Sequence, residues 1–134
     1  MANSTYTWKL PEMVPISMES LAETCAKAAH EVNNVYNAAI GDPLSPAWCD
    51  LTDAQRQGVI QGAAHALAGG SPEDSHNLWL ESRRAEGWTY GATKDFTTKT
   101  SPCFLPYNEV PEAQRRKDAQ FQAVVRAVAD ALRG

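Results

Sequence analysis

Helix punctuation is the feature that most restricts what this chain can fold into. Ser17, Thr52 and Ser71 each stand as an N-cap before a helical run, and Pro111 opens a fourth. Gly41 with Pro43, then Gly69-Gly70, then Gly87 close the first three. These marks predict helices over about residues 18–40, 53–68, 72–86 and 111–133. Thr52 with Gln55 completes a capping box, and Glu73 and Asp74 oppose the dipole of the third helix.

Apolar spacing agrees with the punctuation. Leu21, Cys25, Ala28, Ala29, Val32, Val35, Tyr36 and Ile40 recur at helical intervals in the first run. Val59, Ile60, Ala63 and Leu67 do so in the second. Phe121, Val124, Val125, Val128 and Leu132 form the clearest amphipathic stripe, in the last. Between the helices lie a proline-punctuated loop at 41–51, with Trp48 expected beneath it, and an irregular stretch at 87–110 rich in aromatic residues. The fold class is therefore mainly α: a compact four-helix module with a long ordered aromatic loop before the last helix. Residues 1–16 read as an extended arm, with Tyr6, Trp8 and Leu10 alternating along one side. Residues 17–54 then hold the first helix and the proline-rich loop, and 55–134 the remaining helical domain, all in one globular unit.

A chain of 134 residues, 43% hydrophobic and 21% charged, suits one domain and excludes intrinsic disorder. Its formal charge of -4 arises in residues 1–70 and leaves no general nucleic-acid footprint. No apolar run approaches a membrane span and no secretory leader is visible at the N-terminus, so a cytoplasmic protein is expected. Cys25, Cys49 and Cys103 form no CxxC pair and are expected to be buried thiols.

Residues His76, Trp79 and Arg83 share one face of the third helix, at i, i+3 and i+7. An imidazole, an indole and a guanidinium in one column can stack a flat heteroaromatic ring and pair with an attached phosphate. The same spacing also suits a core face fringed by polar groups. In Gly87-Trp-Thr-Tyr-Gly91, Gly87 can close a helix and Gly91 permits a sharp turn, with Trp88 suited to the core and Tyr90 to a ligand. Pro106-Tyr107 forms a second rigid aromatic ledge, and Arg115, Arg116, Lys117 and Asp118 follow at the start of the last helix. That charged run suits a solvated face, yet at least one of its bases can face the loop. His30, His65 and His76 fall on three different helices, and HExxH, GxSxG, GxGxxG and Walker sequences are absent. An enzyme is therefore not expected, nor a metal or a cofactor.

Taken in order, His76-Asn-Leu-Trp79, Gly87-Trp-Thr-Tyr-Gly91, Asp95, Pro102-Cys-Phe-Leu-Pro-Tyr107 and Val110-Pro-Glu112 resemble the RyR domain, the repeat module of the ryanodine receptor. The resemblance covers about residues 55–132 and implies a helical module with an aromatic loop. It further implies a paired, two-fold arrangement whose cleft accepts adenine nucleotides and flat heteroaromatic compounds. Carried over by position, the lining would include His76, Trp79, Arg83 and Asp118. Asp118 departs from the family pattern, since a carboxylate repels phosphate but accepts hydrogen bonds from an amine or a ribose hydroxyl. Ser101, standing where the family often has His, departs as well. Family members of free-standing bacterial and bacteriophage type imply a role in sensing or sequestering nucleotide signals of antiviral defence.

The expectation is thus a non-enzymatic homodimer that binds a nucleotide-derived small molecule of ADP-ribose or cyclic-nucleotide type, as a bacteriophage counter-defence sponge would. Its candidate ligand residues are His76, Trp79, Arg83, Tyr90, Tyr107, Arg115, Arg116 and Asp118. The alternative is a protein-interaction module that grips a partner through the aromatic loop or the N-terminal arm.

Overall fold

The computed structural model describes residues 16–133, so the arm with Tyr6, Trp8 and Leu10 lies outside the described residues. Four helices follow in order: α1 (Met18–Ile40), α2 (Asp53–Leu67), α3 (Pro72–Ala85) and α4 (Glu112–Arg133). The caps explain the starts. Ser17 Oγ accepts from the Ser20 amide at 3.1 Å, and Thr52 with Gln55 and Ser71 with Asp74 both form complete capping boxes. Gly41 and Gly87, with φ of 77° and 90°, take the left-handed conformation that ends α1 and α3.

One apolar cluster joins the helices. Leu21, Cys25, Ala26 and Ala29 of α1 meet Ala63 and Ala66 of α2 and Val125 and Ala129 of α4, with Trp48 and Leu51 from the proline-rich loop. Small residues dominate this list, so the helices approach closely. At Gly62 an added Cβ would stand 3.6 Å from the Phe121 ring.

Two apolar expectations are corrected. In α1 the inward face turns polar beyond Ala29: His30 and Asn37 are buried, while Val32, Val35 and Ile40 are exposed. The buried face advances through 22, 26, 29–30 and 37, so the valines at 32 and 35 rotate to the outside. In α4 Leu132 is exposed, and Gln122, at 1% exposure, sits in the stripe beside Val125. Its amide donates to Ser75 Oγ at 2.9 Å, and its Oε1 accepts from Arg126 at 3.1 Å. This bridge fixes α3 on α4. Replacing Gln122 by alanine leaves a void and an unpaired Ser75 hydroxyl, for an expected loss of about 1–2 kcal/mol. Urea denaturation with an unchanged m-value checks this.

Two short strands, β1 (Thr89–Tyr90) and β2 (Thr100–Ser101), pair in parallel and brace the aromatic loop. Between them Asp95 pairs with Thr100 in an antiparallel bridge, and its carboxylate accepts from the Thr97 and Thr98 amides at 2.8 and 3.2 Å. Gly91 serves here through close approach rather than through a special φ. A Cβ at 91 would stand 2.6 Å from Thr100 Cβ, so only glycine lets the two strands meet. Lys99, left-handed at φ 56°, donates from Nζ to the Glu86 carbonyl at 2.9 Å and ties the loop to the end of α3. The loop is thus ordered by its own polar groups.

The cysteines divide. Cys25 is buried and Cys103 half-buried, whereas Cys49 is exposed, contrary to the expectation of three buried thiols. Cys49 lies in the short 3-10 turn Trp48–Asp50, which turns the neighbouring Trp48 inward.

Candidate functional site

A cavity of about 470 Å³ opens among α1, α3, the aromatic loop and the first turns of α4. That volume is in the range of small-molecule sites. From α1 come His30, Asn33, Asn34 and Asn37; from α3, Ser75, His76 and Trp79; from α4, Gln114, Lys117 and Asp118. The aromatic loop adds Thr93, Lys94, Ser101 and Cys103, and the proline-rich loop adds Asp42 and Ser45.

Helix α3 supplies the aromatic wall. The rings of His76 and Trp79 stack at 5.6 Å with 26° between their planes. Tyr107 packs on His76 at 5.7 Å, and Phe104 packs on Trp79 at 6.1 Å. Nε2 of His76 donates to the Leu105 carbonyl at 2.7 Å, which fixes the ring and leaves Nδ1 for other partners.

Three of the eight expected site residues, His76, Trp79 and Asp118, line this cavity, and five stand outside its lining. The Arg83 guanidinium lies over the Trp88 ring at 5.1 Å and pairs with Glu86 at 3.1 Å. Buried Trp88 thus captures the cation one turn beyond Trp79. Tyr90 is exposed on β1, and Tyr107 acts as backing for His76. Arg116 pairs with Glu112 at 2.9 Å on the solvent side of α4, and Arg115 is half-buried with its Nε unpartnered.

Different cations border the cavity. Lys117 reaches Asp42 at 3.4 Å, and the same carboxylate accepts from the Gln114 amide. The Lys94 ammonium stands 5.2 Å from the Phe96 ring centre. Although much of the Lys94 side chain is exposed, partial desolvation of its ammonium and then the nearby charge of Lys117 lower its pKa. Two ammonium groups thus border one cavity, Lys94 with no carboxylate in salt-bridge reach among the described residues and Lys117 shared with Asp42. Burial pushes the Asp118 carboxyl up to about 6, against the lowering influence of His76 and Lys117. Burial also raises the Cys103 thiol, which leaves it a poor nucleophile near neutral pH.

Sequence reading missed the α1 wall and Lys94, and it placed Lys117 only within a charged run of which at least one base can face the loop. A signal for the wall exists, because His30, Asn33, Asn34 and Asn37 recur at i, i+3, i+4 and i+7 as an apolar stripe would. Lys94 has no comparable signal, since an irregular loop delivers it.

Fold and cavity together define a mainly helical module in which a braced aromatic loop closes a polar cleft against three helices. The RyR domain family model matches residues 45–129, well over half of the chain, and the chain belongs to that family. The match begins before residue 55 and so takes in residues 45–51 of the proline-rich loop, with Trp48, while α1 lies outside it. Among the described residues no helix is long and apolar enough to cross a membrane.

Proposed function

We propose that this protein is a non-enzymatic binder of a nucleotide-derived small molecule, of ADP-ribose or cyclic-nucleotide type, which it senses or sequesters. The observation that carries this reading is the cavity itself, where the stacked His76–Trp79 pair shares one space with Lys94 and Lys117. A heterocycle needs an aromatic surface and a phosphate needs cations, and this cavity offers both. The phosphate-facing groups are Lys94 and Lys117, in place of the arginines that spacing suggested. Asp118 suits a ribose hydroxyl or a ring amine. Binding without turnover fits a thiol whose pKa is raised and a His76 Nε2 already committed to a carbonyl. Sequestration of an antiviral signal by a bacteriophage-type module is the biological setting we propose.

Calorimetric titration with ADP-ribose and a panel of cyclic nucleotides tests the reading. Saturable heat with at least one member, and recovery of that compound intact after long incubation, is the expected outcome. No heat with any of them would sink it.

A second observation concerns assembly. On the aromatic loop Tyr90 and Phe96 are 56% and 66% exposed, a surface suited to a protein contact. A second copy of the chain is the partner we propose, in a two-fold dimer. Light scattering is then expected to give twice 14.6 kDa. A monomeric mass would leave the loop to a different protein and favour the interaction-module reading.

A further inference from the structure

The polar wall of α1 divides into groups that are spent and groups that are free. His30 Nε2 lies 2.8 Å from the Pro46 carbonyl. Asn34 is paired at both ends, its Nδ2 donating to the Ser45 carbonyl at 3.0 Å and its Oδ1 accepting from the Ser45 amide at 2.9 Å. These two clamp the proline-rich loop and explain themselves. Asn33 and Asn37 do not. The Oδ1 atom of each is buried without a hydrogen-bond partner, although Asn37 is only 6% exposed. Both side chains line the cavity, and at i, i+4 they stand one above the other. An unpaired buried amide oxygen costs stability, so each of these amides gains by turning its Oδ1 towards a donor that enters the cavity.

We propose that Asn33 and Asn37 read the base of the bound nucleotide and select a 6-aminopurine over a 6-oxopurine. The inference rests on the nucleotide reading above and adds selectivity to it, through a helix outside the family-matched stretch. A carboxamide offers a donor and an acceptor side by side, and either end can face a ligand because the group turns over. The 6-aminopurine edge offers the complement, an amino donor beside the N7 acceptor. The 6-oxopurine edge offers two acceptors, so one amide seated on it meets an acceptor with an acceptor, and turning both Nδ2 groups to it keeps both Oδ1 atoms buried and unpaired. A two-bond match of this kind is worth about tenfold to a hundredfold in discrimination.

The test measures dissociation constants of the full chain for ADP-ribose and for its hypoxanthine counterpart, with wild type, Asn33→Ala and Asn37→Ala. Wild type is expected to prefer ADP-ribose by about tenfold or more, and each variant to bring the ratio towards one. Should Asn37→Ala fail to fold, the half-buried Asn33→Ala decides. A wild-type ratio near one with binding that Trp79→Ala still weakens overturns this inference and leaves the nucleotide reading intact. Variants that weaken both ligands equally overturn it too, because a merely structural role lowers affinity without moving the ratio. Binding of neither ligand overturns both readings together.

Discussion

Replacing Trp79 by alanine is expected to lower affinity for the nucleotide ligand by about a hundredfold. Stacking of a base on an aromatic side chain is worth roughly 1–3 kcal/mol, or about fivefold to 150-fold. The upper part of that range applies because Trp79 does more than present a surface. Its ring holds His76 in a stack at 5.6 Å and supports Phe104 at 6.1 Å, so its loss frees both neighbours as well. Trp79→Phe keeps an aromatic face and is expected to stay within about tenfold of wild type. Calorimetry on both variants, with circular dichroism to confirm that they are folded, decides the matter. Undiminished binding by Trp79→Ala would place the ligand elsewhere.

How much of this was legible in the sequence depends on what carries the signal. Helix ends were readable because capping is local: Ser17, Thr52 and Ser71 satisfy amides within three residues of themselves. Inward faces were readable where the apolar stripe stays on the core, as with Val125, and misread where a polar residue takes the buried place, as with Gln122 and with Asn37 in place of Val35. A buried amide looks like a surface amide until its partner, or its lack of one, is known. The choice of cations also escaped. Arg83 sits at the right helical spacing, yet Trp88 arrives from beyond the helix end and takes it. Lys94 reaches the cavity only because Gly91, β1 and β2 fold the loop back. Contacts made across the chain decide such cases, and spacing along one helix does not contain them.

Asp118→Asn is expected to stabilise the protein above neutral pH and to do nothing in acid. Burial raises the Asp118 carboxyl from 3.8 to about 6 in the folded state. Between those values the folded protein keeps a proton that the unfolded chain has released. Stability therefore falls as pH rises through this window, and above it the fold carries the cost of a buried carboxylate. That cost has a ceiling of about 3 kcal/mol. Asparagine is neutral throughout, keeps nearly the same shape and pays none of it. The variant should match wild type at pH 4 and exceed it by about 1–3 kcal/mol at pH 8, a gain of several degrees in Tm for a domain of this size. Urea denaturation at intervals from pH 4 to 8 checks the prediction, and a difference that does not grow with pH would contradict it. Binding should respond in the same window. As pH falls through about 6, wild type loses the ionised carboxylate that accepts from the ligand and should bind more weakly, while Asp118→Asn, uncharged throughout, should show no such dependence on pH. A carboxylate that weakens its own fold at neutral pH is expected where a ligand supplies what the fold lacks. Here that would be the amine or hydroxyl that the ionised form of Asp118 can accept from.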